Sequence, residues 1–181
     1  MNILLVCTGN ISRSPAAERL LAAKLGPTVR VASAGTRAVV GQPMDERMVP
    51  YLNDVHTGGF VARQLEPSMV CQADLVLAMT DSHRGAILRL EPSAVRRTFT
   101  LSDFARWAAG AAGEGLPGGT PAQRLAAVVA RVPDLRTRFP RGRAPGDVPD
   151  PFGYGEAAYV RAVELIRAAT DAIAWAVRPQ A

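Results

Sequence analysis

Apolar residues fall along the chain in short runs separated by turn formers, and the runs are of two kinds. Residues 2–6 form a leucine-rich, β-branched stretch with no polar face, as expected of a strand buried on both sides. It runs directly into Cys7-Thr8-Gly9-Asn10-Ile11-Ser12-Arg13-Ser14-Pro15. Residues 16–25 then place Leu20, Leu21 and Leu25 on one side of a helix that Gly26-Pro27 stops. A second strand is predicted over 29–33, ended by Ala34-Gly35-Thr36, and a helix over 45–52, interrupted or ended near Pro50. A third strand follows at 74–79, a helix at 81–90, a fourth strand at 96–101 and a helix through Trp107.

Beyond Trp107 the pattern weakens. Residues 109–121 are rich in Gly and Pro and predict loop, 122–132 a short helix, and 133–150 loop again, carrying Arg136, Arg138, Arg141 and Arg143. An alanine-rich helix is predicted over 156–177. Strands alternating with helices imply an α/β fold with a parallel sheet and right-handed crossovers.

Composition changes this picture little. The 181 residues suit one domain with a sizeable core, and no apolar run approaches the ~20 residues that span a bilayer. Two cysteines, Cys7 and Cys71, cannot build a disulfide framework, so a reducing cytoplasm is expected; the apolar start reads as a strand and not a leader. The net charge of +5 comes almost wholly from arginine, with Lys24 the one lysine. These arginines are scattered and not interleaved with aromatics, which argues against a nucleic-acid surface. The loop arginines 136, 138, 141 and 143 are a candidate contact for acidic residues around a substrate, against the plainer reading of a solvated loop.

The first motif carries chemistry. A strand leading into a tight loop that opens a helix aims backbone N–H groups and the positive helix end at an anion. Gly9 permits close backbone approach, Asn10 tolerates a left-handed conformation, and Pro15 lacks only an N–H that has no intrahelical partner. The Cys-x5-Arg spacing sets the Cys7 thiol and the Arg13 guanidinium around one anion-sized hole. Those donors favour the thiolate, which is the nucleophilic form.

The run 6–15 closely resembles the signature of the low-molecular-weight protein-tyrosine phosphatases. Ser33-Ala34-Gly35-Thr36, Ala62-Arg63-Gln64-Leu65, the run 73–79 and Asp150-Pro151-Phe152-Gly153 match further family motifs in order. The resemblance implies a four-stranded parallel sheet flanked by helices on both faces, in a single domain over 1–181 with an insertion at about 108–148. It implies no metal or cofactor. Cys7 would attack phosphorus, Arg13 and the loop (Thr8, Gly9, Asn10, Ile11, Ser12, Ser14) would hold the phosphoryl group, and Ser14 would hydrogen-bond the thiolate. Asp150 would protonate the leaving phenolate and then activate water, while Phe152 supplies an aromatic wall. The implied partner is a phosphotyrosine-containing protein, with a tyrosine kinase among the candidates and phosphate as product. A monomer or weak dimer, with no nucleic acid or membrane partner, completes the expectation.

Three positions depart from the family pattern. Ser12 stands where many members carry a second cysteine, Ala38 where an aromatic lines the cleft, and Phe60 where a histidine steadies the loop asparagine. His56 and His83 lack metal-pair spacing and are expected in solvent, whereas Cys71, Trp107 and Trp175 are expected in the core. Three alternatives stay open. A thiol-cofactor-dependent arsenate reductase shares the anion loop, a protein-arginine phosphatase typically has Thr where Ile11 stands, and a phosphate-binding module would need no turnover.

Overall fold

The computed structural model describes residues 1–140 and 146–178. Its centre is a sheet of four parallel strands in the order β2-β1-β3-β4: β1 (Asn2–Cys7), β2 (Arg30–Gly35), β3 (Leu75–Ala78) and β4 (Thr98–Thr100). Five of the six β1 side chains are buried, as a strand covered on both faces requires. Alternate residues feed two cores. Ile3, Leu5, Leu75, Leu77 and Phe99 point to one side and Leu4, Val6, Val76 and Ala78 to the other.

The first face is covered by α1 (Arg13–Leu25), α4 (Leu101–Gly113) and α6 (Glu156–Val177), with α5 (Pro121–Arg138) packed on α4 and α6. Leu20, Leu21 and Leu25 are the buried stripe of α1, and Gly26, at φ 70°, ends that helix. Phe99 stacks on Phe104 at 5.8 Å and meets Trp107 edge-on at 5.5 Å. The second face carries α2 (Pro67–Gln72) and α3 (Asp81–Leu90), which bury Val70 and Ile87. Among the described residues no helix is long and apolar enough to cross a membrane.

Several local expectations need correction. The helix expected over 45–52 shrinks to turns and a single 3-10 turn, Val49–Leu52, since Pro50 interrupts the backbone ladder. A helix through Pro133 replaces the expected loop. α5 runs to Arg138 because Pro133 lies on its exposed side, while Leu125, Val128, Val132 and Leu135 are buried on the other. Thr120 and Gln123 close a reciprocal capping box at its start. Arg136 and Arg138 are therefore helical. The first lies over the Trp107 ring at 5.9 Å and the second 2.7 Å from Glu114. Arg141 and Arg143 fall outside the described residues. Trp107 is core as expected, but Trp175 is half exposed, with Arg178 5.6 Å from its ring. Cys71 is exposed on α2, with Sγ 3.3 Å from a Glu91 carboxylate oxygen. The turn of α2 that buries Val70 carries its neighbour outward.

Candidate active site

β1 ends at Cys7, paired in register with Gly35 at the end of β2, and α1 begins at Arg13. The five residues between wrap into a loop in which Asn10 takes φ 55°. Asn10 is completely buried, so its side chain must be satisfied inside the protein. Its Oδ1 accepts from the Arg63 backbone N–H at 2.9 Å, which fixes the amide orientation. Its Nδ2 then donates to Ser14 Oγ at 3.0 Å and to Ser33 Oγ at 2.8 Å. Ser33 Oγ in turn donates to Glu18 Oε2 at 2.6 Å. Since Ser14 Oγ accepts from Asn10, its proton is directed to Cys7 Sγ, 2.9 Å away. Phe60, standing where the family has histidine, packs under Arg19 instead. Asn10 is held by Arg63, Ser14 and Ser33 without it.

Arg13 is buried, yet it reaches the far end of the sequence. Its Nη1 donates to the Val148 carbonyl at 3.2 Å and its Nη2 to Asp150 Oδ2 at 2.5 Å. Val148 is tied in turn to β3, its N–H donating to the Met79 carbonyl at 2.8 Å. Asp150 Oδ1 accepts from the Phe152 N–H at 3.2 Å, closing the Asp-Pro turn. The Asp150 carboxylate is half exposed and faces a cleft of about 370 Å³. Cys7, Thr8, Gly9, Ile11, Ser12, Arg13, Asp150 and Phe152 all line that cleft, whereas Asn10 and Ser14 support it from behind.

The remaining positions were not legible as site residues. Arg37 and Val39 line the cleft beside the Ala38 gap; their place directly after Ser-Ala-Gly-Thr was an available signal. Asp45 accepts from Ser12 Oγ at 3.1 Å and from the Tyr159 hydroxyl at 2.5 Å. Burial and that carboxylate push the Tyr159 phenol up to about 12, so it stays a donor. Arg47 lies over both the Tyr159 and Phe152 rings, at 4.8 and 5.9 Å, and so ties the Asp150 turn to α6.

His83 corrects an expectation. It is not solvated but buried at the start of α3, with Nε2 2.8 Å from Thr8 Oγ1 and Nδ1 2.7 Å from Thr80 Oγ1. Burial first, and then the charge of Arg13, lowers its titration to about 4, with Asp150 opposing. Parallel strands bring the carboxyl ends of β1 and β3 side by side, so residues just after β3 necessarily face the loop after β1.

Known proteins resemble this chain in sequence and in fold. A family model described as low molecular weight phosphotyrosine protein phosphatase matches residues 2–114. The chain is 41% identical over 108 residues to AmsI of Erwinia amylovora, named a probable low molecular weight protein-tyrosine-phosphatase, spanning 59% of this chain and 72% of that one. Among solved structures, the YwlE arginine phosphatase of Geobacillus stearothermophilus superposes with a TM-score of 0.70 at 29% identity, covering 96% of this chain and 90% of that one. Vibrio vulnificus Wzb in complex with benzylphosphonate gives 0.68 at 29% identity, over 97% and 96%. A cysteine, an arginine and a carboxylate around one cleft accompany this sheet, and the match over residues 2–114 places the chain in the low molecular weight phosphotyrosine protein phosphatase family.

Proposed function

We propose that the protein hydrolyses the phosphate ester of phosphotyrosine in a protein substrate through a phosphocysteine on Cys7. The observation that carries this reading is Cys7 Sγ, 2.9 Å from Ser14 Oγ at the head of α1, sharing one cleft with Arg13 and Asp150. The thiolate forms a bond to phosphorus as the ester P–O bond breaks, and Asp150 gives its proton to the departing phenolate. Asp150 then takes a proton from water, whose oxygen attacks the phosphocysteine and releases phosphate and thiolate. Loop N–H groups, the helix end and Arg13 hold the phosphoryl oxygens. Ile11, Val39 and Phe152 supply apolar wall for the aromatic ring.

A tyrosine kinase is a fitting substrate, a cytoplasmic setting would keep Cys7 reduced, and a monomer or weak dimer suffices for the site. The same reading takes 1–181 as one domain with an insertion at about 108–148, which contains α5. The likeness to YwlE favours phosphoarginine as a second reading. The branched apolar Ile11 on the cleft wall suits an aryl ester better.

Side-by-side turnover of phosphotyrosine peptide, phosphoarginine and arsenate by the purified protein tests the proposal. Phosphotyrosine should be preferred by at least tenfold in kcat/KM, and Cys7→Ser should abolish turnover while the fold persists. Faster phosphoarginine hydrolysis or arsenate reduction would overturn it.

A further inference from the structure

The catalytic scheme leaves the hydroxyl of Thr8, which lines the cleft, without a part, and likewise the buried imidazole of His83. These two touch. Nε2 of His83 lies 2.8 Å from Thr8 Oγ1 and is the side-chain partner of that hydroxyl among the described residues. The ring is clamped from its other side: Nδ1 is 2.7 Å from Thr80 Oγ1, which also accepts the His83 backbone N–H at 3.2 Å and lies 2.8 Å from Ser82 Oγ. His83 is 6% exposed and sits on the first turn of α3, so its position is set by the helix cap and not by the anion loop. Thr8 lines the cleft with Cys7 and Arg13.

A neutral imidazole carries one N–H, and its tautomer decides which way two hydroxyls point. With the proton on Nδ1, Thr8 would spend its own hydroxyl proton on Nε2 and show the cleft only lone pairs. With the proton on Nε2, the ring donates to Thr8 Oγ1, and the Thr8 proton is free to face the cleft. Thr80 Oγ1 is fully satisfied in the second arrangement, accepting from the His83 N–H and from Ser82 while donating to Nδ1. An anion in the cleft stabilises the form that offers it one more donor.

We infer that His83 is a positioning residue. Its Nε2–H holds Thr8 Oγ1 from behind and turns the Thr8 hydroxyl proton into the cleft, as a donor to the phosphate oxygens of the substrate. The inference rests on the cleft being the phosphate site. Burial keeps the ring neutral near pH 7, so this donor is present there.

Binding of inorganic phosphate to the intact protein, read by calorimetry, tests this apart from any turnover. Thr8→Val should weaken phosphate about tenfold, the worth of one hydrogen bond to a charged group, and Thr8→Ser should restore it. His83→Leu should lose a similar factor, His83→Gln should recover most of it, and the His83→Leu/Thr8→Val double variant should lose no more than either single change. A merely structural histidine would give losses that multiply in the double variant, which would overturn the inference, as would unchanged phosphate affinity in Thr8→Val. Should His83→Leu fail to fold, nitrogen-15 NMR of the wild-type ring decides. With phosphate bound, protonation at Nε2 supports the proposal and protonation at Nδ1 refutes it. Failure of phosphotyrosine turnover with normal phosphate binding would count against the activity and not against this role of His83.

Discussion

The Oγ of Ser14 stands 2.9 Å from the Sγ of Cys7 with its proton directed there, because its own lone pair is taken by Asn10. The direction of that proton is set by the amide of Asn10, three residues from Cys7, whose other end is anchored to the Arg63 backbone. Ser14→Ala should therefore leave the thiolate short of a donor and Asn10 short of an acceptor. Alkylation of Cys7 by iodoacetate at pH 6 should slow about tenfold, in line with one charge-assisted hydrogen bond, with a comparable fall in kcat. An unchanged alkylation rate would show that the serine does not serve the thiolate.

Asp150 pairs with Arg13 at 2.5 Å, which holds its carboxylate at the cleft for the proposed acid role. Asp150→Asn should lower kcat for phenyl phosphate by roughly 10²–10⁴, the usual contribution of a positioned acid, and less for p-nitrophenyl phosphate, whose leaving group needs less protonation. Inorganic phosphate should bind more tightly, because a like charge beside it is gone. Equal losses for both esters would remove Asp150 from the acid role.

Gly35 is required by contact and not by backbone angle. A Cβ there would sit 2.4 Å from the Thr8 carbonyl oxygen and 3.0 Å from the Cβ atoms of Asn10 and Ala38. Gly35→Ala should destabilise the fold by about 1–3 kcal/mol and displace the anion loop. Thermal unfolding and kcat/KM should both fall, with the kinetic loss exceeding tenfold. Retention of full activity would mean that the loop tolerates the shift.

Peroxide should inactivate the enzyme in a way that reductant reverses only partly. Ser12, beside Arg13, donates its hydroxyl to Asp45 and cannot trap an oxidised Cys7 as a disulfide. Cys71 adjoins Gln72, whose carbonyl accepts from Asn2 at the opposite end of β1. Five residue steps along β1 separate the two ends, about 16 Å, far beyond the ~7 Å Cα separation a disulfide allows. Dithiothreitol should rescue activity less as exposure lengthens, and mass spectrometry should find sulfinic acid on Cys7. A Cys7–Cys71 disulfide as the main product would contradict this.

Acid should weaken the fold through His83. Its folded titration near 4 lies below the ordinary 6.5, so the unfolded chain binds more protons between those values. The full stability is present above about pH 6.5, and on the order of 3 kcal/mol is lost as pH falls toward 4. His83→Gln should flatten denaturant midpoints measured across that window. A midpoint that changes equally in both proteins would exclude His83 as the cause.

What was legible in the sequence was local. Cys7, Gly9, Asn10, Arg13 and Pro15 are contiguous, and a strand, a tight loop and a helix start have one compact way to connect. The chemistry of that loop could therefore be read before any fold was known. The first strand and the 156–177 helix were legible for a similar reason, since each shows a consistent burial pattern along its length. Asp150 could be named only through a family resemblance, because nothing near it in the chain says that Arg13, 137 positions earlier, closes on it.

Tertiary structure decided the rest, wherever a residue's environment comes from elsewhere in the chain. His83 looks solvated on a polar helix start, yet parallel pairing of β1 and β3 buries it under Thr8, 75 positions away. Pro133 argues for a loop, since the residue costs about 3 kcal/mol inside a helix. Packing of Val128, Val132 and Leu135 against neighbouring helices offsets that penalty and carries α5 through it. Cys71 and Val70 look alike in sequence, and only the docking of α2 turned one inward and the other to water. Local pattern specifies which backbone is available; burial, summed over contacts between distant segments, decides which polar groups end up inside and must find partners there.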